Sequence, residues 1–126
     1  MWYEETKGGT MYKSKRALIS ELKTQLAERD HQAIKGLMKL YGFQQENEKS
    51  SGYSINVNGI GFNRLDSQIL NYFAQCVGRG GLDEYQMQIL HTLMPKYARQ
   101  LIEYSIYMGY IVKTVSGYEV GEEYEI

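Results

Sequence analysis

Apolar residues recur at helical spacing through most of the chain, in runs divided by polar or glycine-rich stretches. Ser14 to Ala27 sets Leu18, Ile19, Leu22 and Leu26 on one side among strong helix formers, which predicts a first helix. Asp30 follows as an N-cap candidate, and Ala33, Ile34, Leu37, Met38 and Tyr41 mark one face of a second. So short a break predicts an antiparallel helical pair. Glu46 to Phe62 is rich in Ser, Asn and Gly and forms the principal linker; alternation at Tyr53, Ile55 and Val57 predicts a short strand before the Asn58-Gly59 turn.

Beyond the linker, Leu65, Ile69, Leu70, Phe73, Ala74 and Val77 line one side of a third helix, capped by Asn63 or Asp66 and ended by Gly78-Arg79-Gly80-Gly81. Asp83 and Gln86 have the spacing of a capping box and open a fourth helix, which buries Met87, Ile89, Leu90 and Leu93. Pro95 ends it and begins a fifth, with Tyr97, Leu101, Ile102 and Ile106 directed inward. Gly109 stops that helix, and the β-prone runs Tyr110–Val115 and Tyr118–Val120 meet at Ser116-Gly117 as a hairpin. The expected fold is mainly α with a small β hairpin, an N-terminal helical pair joined to a winged-helix-like C-terminal half. In one domain of 126 residues this divides into a helical pair over 12–49, a linker over 50–62, the winged-helix-like half over 63–120 and an acidic tail over 121–126.

Composition narrows the class. A 43% apolar and 23% charged chain can bury a modest core unaided, and the single Cys76 rules out an internal disulfide. No signal peptide is expected at Met1 to Thr10, and no membrane span anywhere, which points to a cytoplasmic setting. The net charge of −1 argues against a globally basic nucleic-acid binder, yet the charge is uneven. Residues 7–39 carry eight bases against three acids, a net +5, whereas 103–126 carry five glutamates against Lys113, a net −4. Such a gradient is either a solvated surface or a basic patch facing an anionic partner. Lys35 and Lys39 lie one turn apart, and Arg16 and Lys23 share an outer side of the first helix.

Motifs for catalysis or cofactors are weak. Gly59-Ile60-Gly61-Phe62-Asn63 lacks the third glycine of a dinucleotide fingerprint and the Gly-Lys-Ser/Thr end of a P-loop, so it reads as a loop and no cofactor is expected. His31 and His91 fall in different helices without metal-ligand spacing, and no metal site is expected. Cys76 reads as a buried structural thiol, and the adjacent carboxylates Asp83-Glu84 and Glu122-Glu123 as capping and solvation, so catalytic residues are not expected. Tyrosines crowd the last third; Tyr97 and Tyr104, seven apart, share a helix face and combine with Arg99 as an interface, as a stacking platform or simply as core.

Ile69-Leu70, Leu82-Asp83, Met108-Gly109-Tyr110-Ile111 and Val115-Ser116-Gly117-Tyr118 give Leu65 to Val120 a pattern that resembles a winged helix-turn-helix. That resemblance implies a fifth helix in the major groove, with Lys96, Arg99 and Gln100 reading DNA, Arg64 and Lys113 touching phosphate, and a homodimer. A second set of stretches spans more of the chain: Glu28-Arg29-Asp30, Leu40-Tyr41, Gln44 to Glu48, Gly59 to Phe62 with Asp66, Leu82 with Gln86, and Pro95 to Leu101. It is similar to small accessory proteins of phages and conjugative elements, a group without a shared activity. This implies a non-enzymatic protein of the bacterial host cytoplasm that binds and inhibits a host protein or ribonucleoprotein, an anti-CRISPR protein blocking a CRISPR nuclease complex being the most concrete version. The contacts would come from Lys13, Arg16, Lys23, Lys35 and Lys39, or from the C-terminal third with Lys96, Arg99, Gln100, Tyr104, Tyr107 and Lys113. In that third, Glu103, Glu119, Glu122 and Glu123 would imitate nucleic-acid charge. A DNA-binding winged-helix transcriptional regulator is the competing expectation.

Overall fold

A computed structural model describes residues 3–6, 9–51 and 61–121. Strands β1 (Tyr3–Thr6) and β2 (Gly9–Tyr12) are followed by helices α1 (Lys15–Glu28), α2 (Asp30–Ser51), α3 (Ser67–Gly78) and α4 (Glu84–Leu93). A 3-10 turn at Met94–Tyr97 leads into α5 (Ala98–Tyr107), and β3 (Ile111–Thr114) and β4 (Gly117–Gly121) close the described chain. The chain is mainly α, as expected.

Local chemistry accounts for most boundaries. The Ser14 hydroxyl accepts from the Ala17 N–H and caps α1. One extended residue separates α1 from α2: the Arg29 N–H closes α1 on the Gln25 carbonyl at 2.8 Å, and the Arg29 carbonyl accepts from Ala33 at 3.0 Å. Asp30 is therefore the first residue of α2 and leaves its carboxylate for another partner. The α2 helix runs on through Ser51, past the expected linker start at Glu46, because Gln44 to Lys49 includes no helix breaker before Gly52. The expected strand at Tyr53–Val57, the Asn58-Gly59 turn and the acidic tail from Glu122 lie outside the described residues.

The capping box of α4 forms as expected, with the Asp83 carboxylate accepting from Gln86 N at 2.8 Å and the Gln86 side-chain Oε1 from Asp83 N at 2.9 Å. Asn63 wins the contest to lead into α3: its side-chain oxygen accepts from Asp66 N at 2.8 Å, while Asp66 makes no cap bond. Leu65, expected inward, is 92% exposed because α3 begins only at Ser67. Pro95 produces a tight turn, which lets Met94 and Tyr97 both bury before α5 starts.

The core joins Leu18, Leu22 and Leu26 of α1 to Leu37 and Leu40 of α2, Leu70 and Phe73 of α3, Leu90 of α4, and Leu101 and Ile102 of α5. At Gly36 a side chain would meet Leu26, Met94 and Leu101 at 3.1 to 3.3 Å, so α2 approaches its neighbours closely there. The expected hairpin is present but is only half of the sheet. The strand order is β1-β2-β4-β3, all antiparallel, with Tyr12 opposite Tyr118 and Thr10 opposite Val120. No strand was expected before Ser14, although Tyr3–Thr6 and Thr10–Tyr12 flank a Gly8-Gly9 pair, itself a hairpin signal. Ile111, Val120 and Tyr12 face the helices and are buried. The hairpin turn sits one residue earlier than expected, at Val115-Ser116, and Gly117 takes a φ of 145° as β4 begins.

Candidate functional site

The α1 residues Arg16, Ile19, Ser20 and Lys23 follow one another at helical spacing and so share one side of the helix. Ile19 is buried as a floor, which leaves Arg16, Ser20 and Lys23 as a polar rim. Helix α1 packs on the 3-10 turn and on α5, which brings Arg99 to the opposite wall. Lys15, Arg16, Ile19, Ser20, Lys23 and Arg99 together enclose an open groove of about 380 Å³. Four cations from two segments some 80 residues apart thus converge. Glu103 is their acidic neighbour, with its Oε1 3.3 Å from Lys15 Nζ and 3.7 Å from the Arg99 guanidinium. Arg16 and Lys23 are exposed and form no ion pair among the described residues.

The other expected contact residues divide between surface and structural roles. Lys96 Nζ lies 2.8 Å from Asp66 Oδ2, and the Gln100 side-chain oxygen accepts from the Gly61 N–H at 2.9 Å, so both tie the segment before α3 onto the 3-10 turn and α5. The ring of Tyr104 packs on Phe43 with centroids 4.1 Å apart, whereas Tyr107 is 83% exposed. Lys39 sits 5.9 Å from the centroid of the Tyr110 ring, and Lys35 is half-buried on α2; neither lines the groove. Lys13 is exposed just before α1, Lys113 is exposed on β3, and Arg64 is exposed before α3.

Two polar clusters frame the groove's supports. The Tyr97 hydroxyl donates to Asp66 Oδ2 at 2.7 Å and accepts from Asn63 N at 3.0 Å. Burial pushes the Asp66 carboxyl up, but the bond from Lys96, followed by those from Tyr97 and Asn63, outweighs it and holds the group below the ordinary value. Burial raises the Tyr97 phenol, and its bond to Asp66 adds to this, so the phenol stays protonated. On α4, His91 Nδ1 lies 2.7 Å from the Leu26 carbonyl and Nε2 2.7 Å from Asp30 Oδ1. Burial lowers the His91 pKa, but the Asp30 bond and then the Leu26 carbonyl outweigh it and raise it. An imidazolium donates to both, and the Leu26 carbonyl belongs to the last turn of α1, the end that favours a cation.

Cys76 is half-buried on α3, less covered than expected. Among the described residues no three His, Cys, Asp or Glu side chains gather as a metal site, and no helix is long and apolar enough to cross a membrane. Sequence spacing alone placed Arg16 with Lys23; what it missed was the groove, since nothing local joins residue 16 to residue 99. No family model matches the chain, and neither a curated protein nor a solved structure does so.

Proposed function

We propose that this chain is a non-enzymatic binding protein of a phage or mobile element. In this reading it acts in the bacterial cytoplasm and blocks a host nucleoprotein by seating part of its nucleic-acid backbone in the groove between α1 and α5. The observation that carries the reading is the convergence of Lys15, Arg16, Lys23 and Arg99 on one open concavity. Guanidinium and ammonium groups neutralise phosphate and release counterions, and a groove between two helices presents them to a strand rather than to a point charge. A CRISPR nuclease with its guide RNA is the most concrete target of this kind.

The test pairs two measurements. A guide-loaded CRISPR nuclease is assayed for DNA cleavage with stoichiometric protein, and fluorescence anisotropy follows a labelled mixed-sequence duplex at about 50 and about 200 mM salt. Three phosphate contacts would weaken duplex binding roughly fortyfold over that range. Inhibited cleavage that is lost in the R16A/K23A double variant supports the reading; full cleavage at stoichiometric protein refutes the nuclease version. A second reading, the DNA-binding winged-helix regulator, is favoured by the order α3, α4, α5, β3, β4. It requires Lys96 and Gln100 to leave Asp66 and Gly61 in order to reach bases, so sequence-specific duplex binding that survives Lys96→Ala and Gln100→Ala would sink it.

A further inference from the structure

Two of the groove's cations share an anion that does not itself line the groove. Glu103 follows Arg99 by one turn on α5, and a single carboxylate oxygen reaches both Arg99 on its own helix and Lys15 on the facing one. The carboxylate therefore links Lys15 and Arg99 on the two walls, while Arg16 and Lys23 are left without an ion pair among the described residues. Glu103 is 49% exposed and Lys15 38%, so both pairs are wet and weak enough to open. A phosphate carries the same sign of charge, offers more acceptor oxygens, and suits the planar fork of Arg99 better than one carboxylate oxygen does.

We infer that Glu103 is a built-in competitor: its carboxylate holds the subsite of one backbone phosphate, and a phosphodiester strand displaces it to take over Lys15 and Arg99. The inference rests on the groove being a phosphodiester-binding surface. Arg16 and Lys23 are the first contacts in this scheme, because they have no internal ion pair to break. Lys15 and Arg99 engage only a ligand already anchored there. Isolated small anions are thereby disfavoured, and a polyanion whose phosphates reach both ends of the groove is selected.

The experiment is a double-mutant cycle read by anisotropy with the labelled mixed-sequence duplex at about 50 mM salt. Displacement predicts that Glu103→Gln tightens binding roughly three- to tenfold, the range that opening weak surface pairs allows, with the salt slope unchanged because both proteins contact the same phosphates. It also predicts coupling: Lys15→Ala weakens binding in both backgrounds, but by several-fold more in the Glu103→Gln background, where no carboxylate competes for Lys15. Equal losses from Lys15→Ala in both backgrounds would mean a general field effect and overturn the inference. So would unchanged affinity in Glu103→Gln. Both outcomes leave the groove reading standing, provided R16A/K23A still abolishes binding. Binding that survives R16A/K23A, or no binding by any variant, overturns the groove reading and the inference together. All four positions are on the surface, and circular dichroism checks that each variant is folded.

Discussion

Replacing Tyr97 by phenylalanine deletes one oxygen atom and leaves the ring in place, so the effect isolates a single polar junction. The Tyr97 hydroxyl joins the Asp66 carboxylate, at 2.7 Å, to the Asn63 N–H, at 3.0 Å, and the residue is 1% exposed, which leaves no room for solvent to take over. A hydrogen bond to a charged acceptor contributes about 1.5 to 3 kcal/mol, and a stranded N–H adds about 1, so Tyr97→Phe should lower stability by about 2 to 4 kcal/mol at pH 7. In a chain of this size that corresponds to a midpoint lower by roughly 8 to 15 °C. The pH dependence has a definite sign. Asp66 is depressed below 3.8 in the folded state, so its stabilisation is full above that value and disappears as pH falls through the folded pKa. Removing one of the bonds that depress it moves the folded pKa upward, and the difference between wild type and variant should shrink below about pH 4. Urea denaturation followed by circular dichroism at pH 7, 5 and 3.5 measures this. Stabilities within about 0.5 kcal/mol at pH 7, or a difference that acid does not narrow, would refute the reasoning.

Two further substitutions probe the scaffold. His91→Gln should lower stability by about 1 kcal/mol at pH 5.5 and by less at pH 8.5. A folded pKa raised above 6.5 gives stabilisation that is complete below that value and fades as pH rises through the folded one, while the exposed Asp30 keeps the magnitude small; a larger loss at pH 8.5 than at 5.5 would reverse the sign and refute a stabilising charged His91. Gly117→Ala should cost about 2 to 4 kcal/mol in thermal unfolding, because its φ is 145° and a Cβ would overlap the Tyr12 carbonyl oxygen. Gly121→Ala, with open space around it, serves as the matched control and should shift stability by no more than about 0.5 kcal/mol.

The helices and the C-terminal hairpin were readable from the sequence because their signals are local. Ser14, the Asp83-Gln86 box, Pro95 and Gly109 each act within a turn of where they stand. Strands β1 and β2 were missed despite the local Gly8-Gly9 turn signal, since their residues carry no apolar alternation and the β4 partner that holds β2 in the sheet lies about a hundred residues away. The surroundings of the candidate contacts were hidden for the same reason. Lys96 and Gln100 look like free polar groups on a recognition helix, but the fold brings Asp66 and Gly61 to them. Arg16, Lys23 and Arg99 each looked like surface charges, and only the packing of α1 on α5 turns them into one groove.

The seam between β2 and β4 also sets an order of events in folding. A hairpin such as β3–β4 closes over two residues, within microseconds, whereas β2 must find β4 across about a hundred, an entropic difference of roughly 3 kcal/mol if the intervening chain were unstructured. Prior assembly of the helical body shortens that search, because α1 follows directly on β2 and α5 leads directly to β3. The sheet is then a clasp that shuts last, templated by helices that have already brought its two halves within reach, and until it shuts both hairpins present open edges to any other strand nearby.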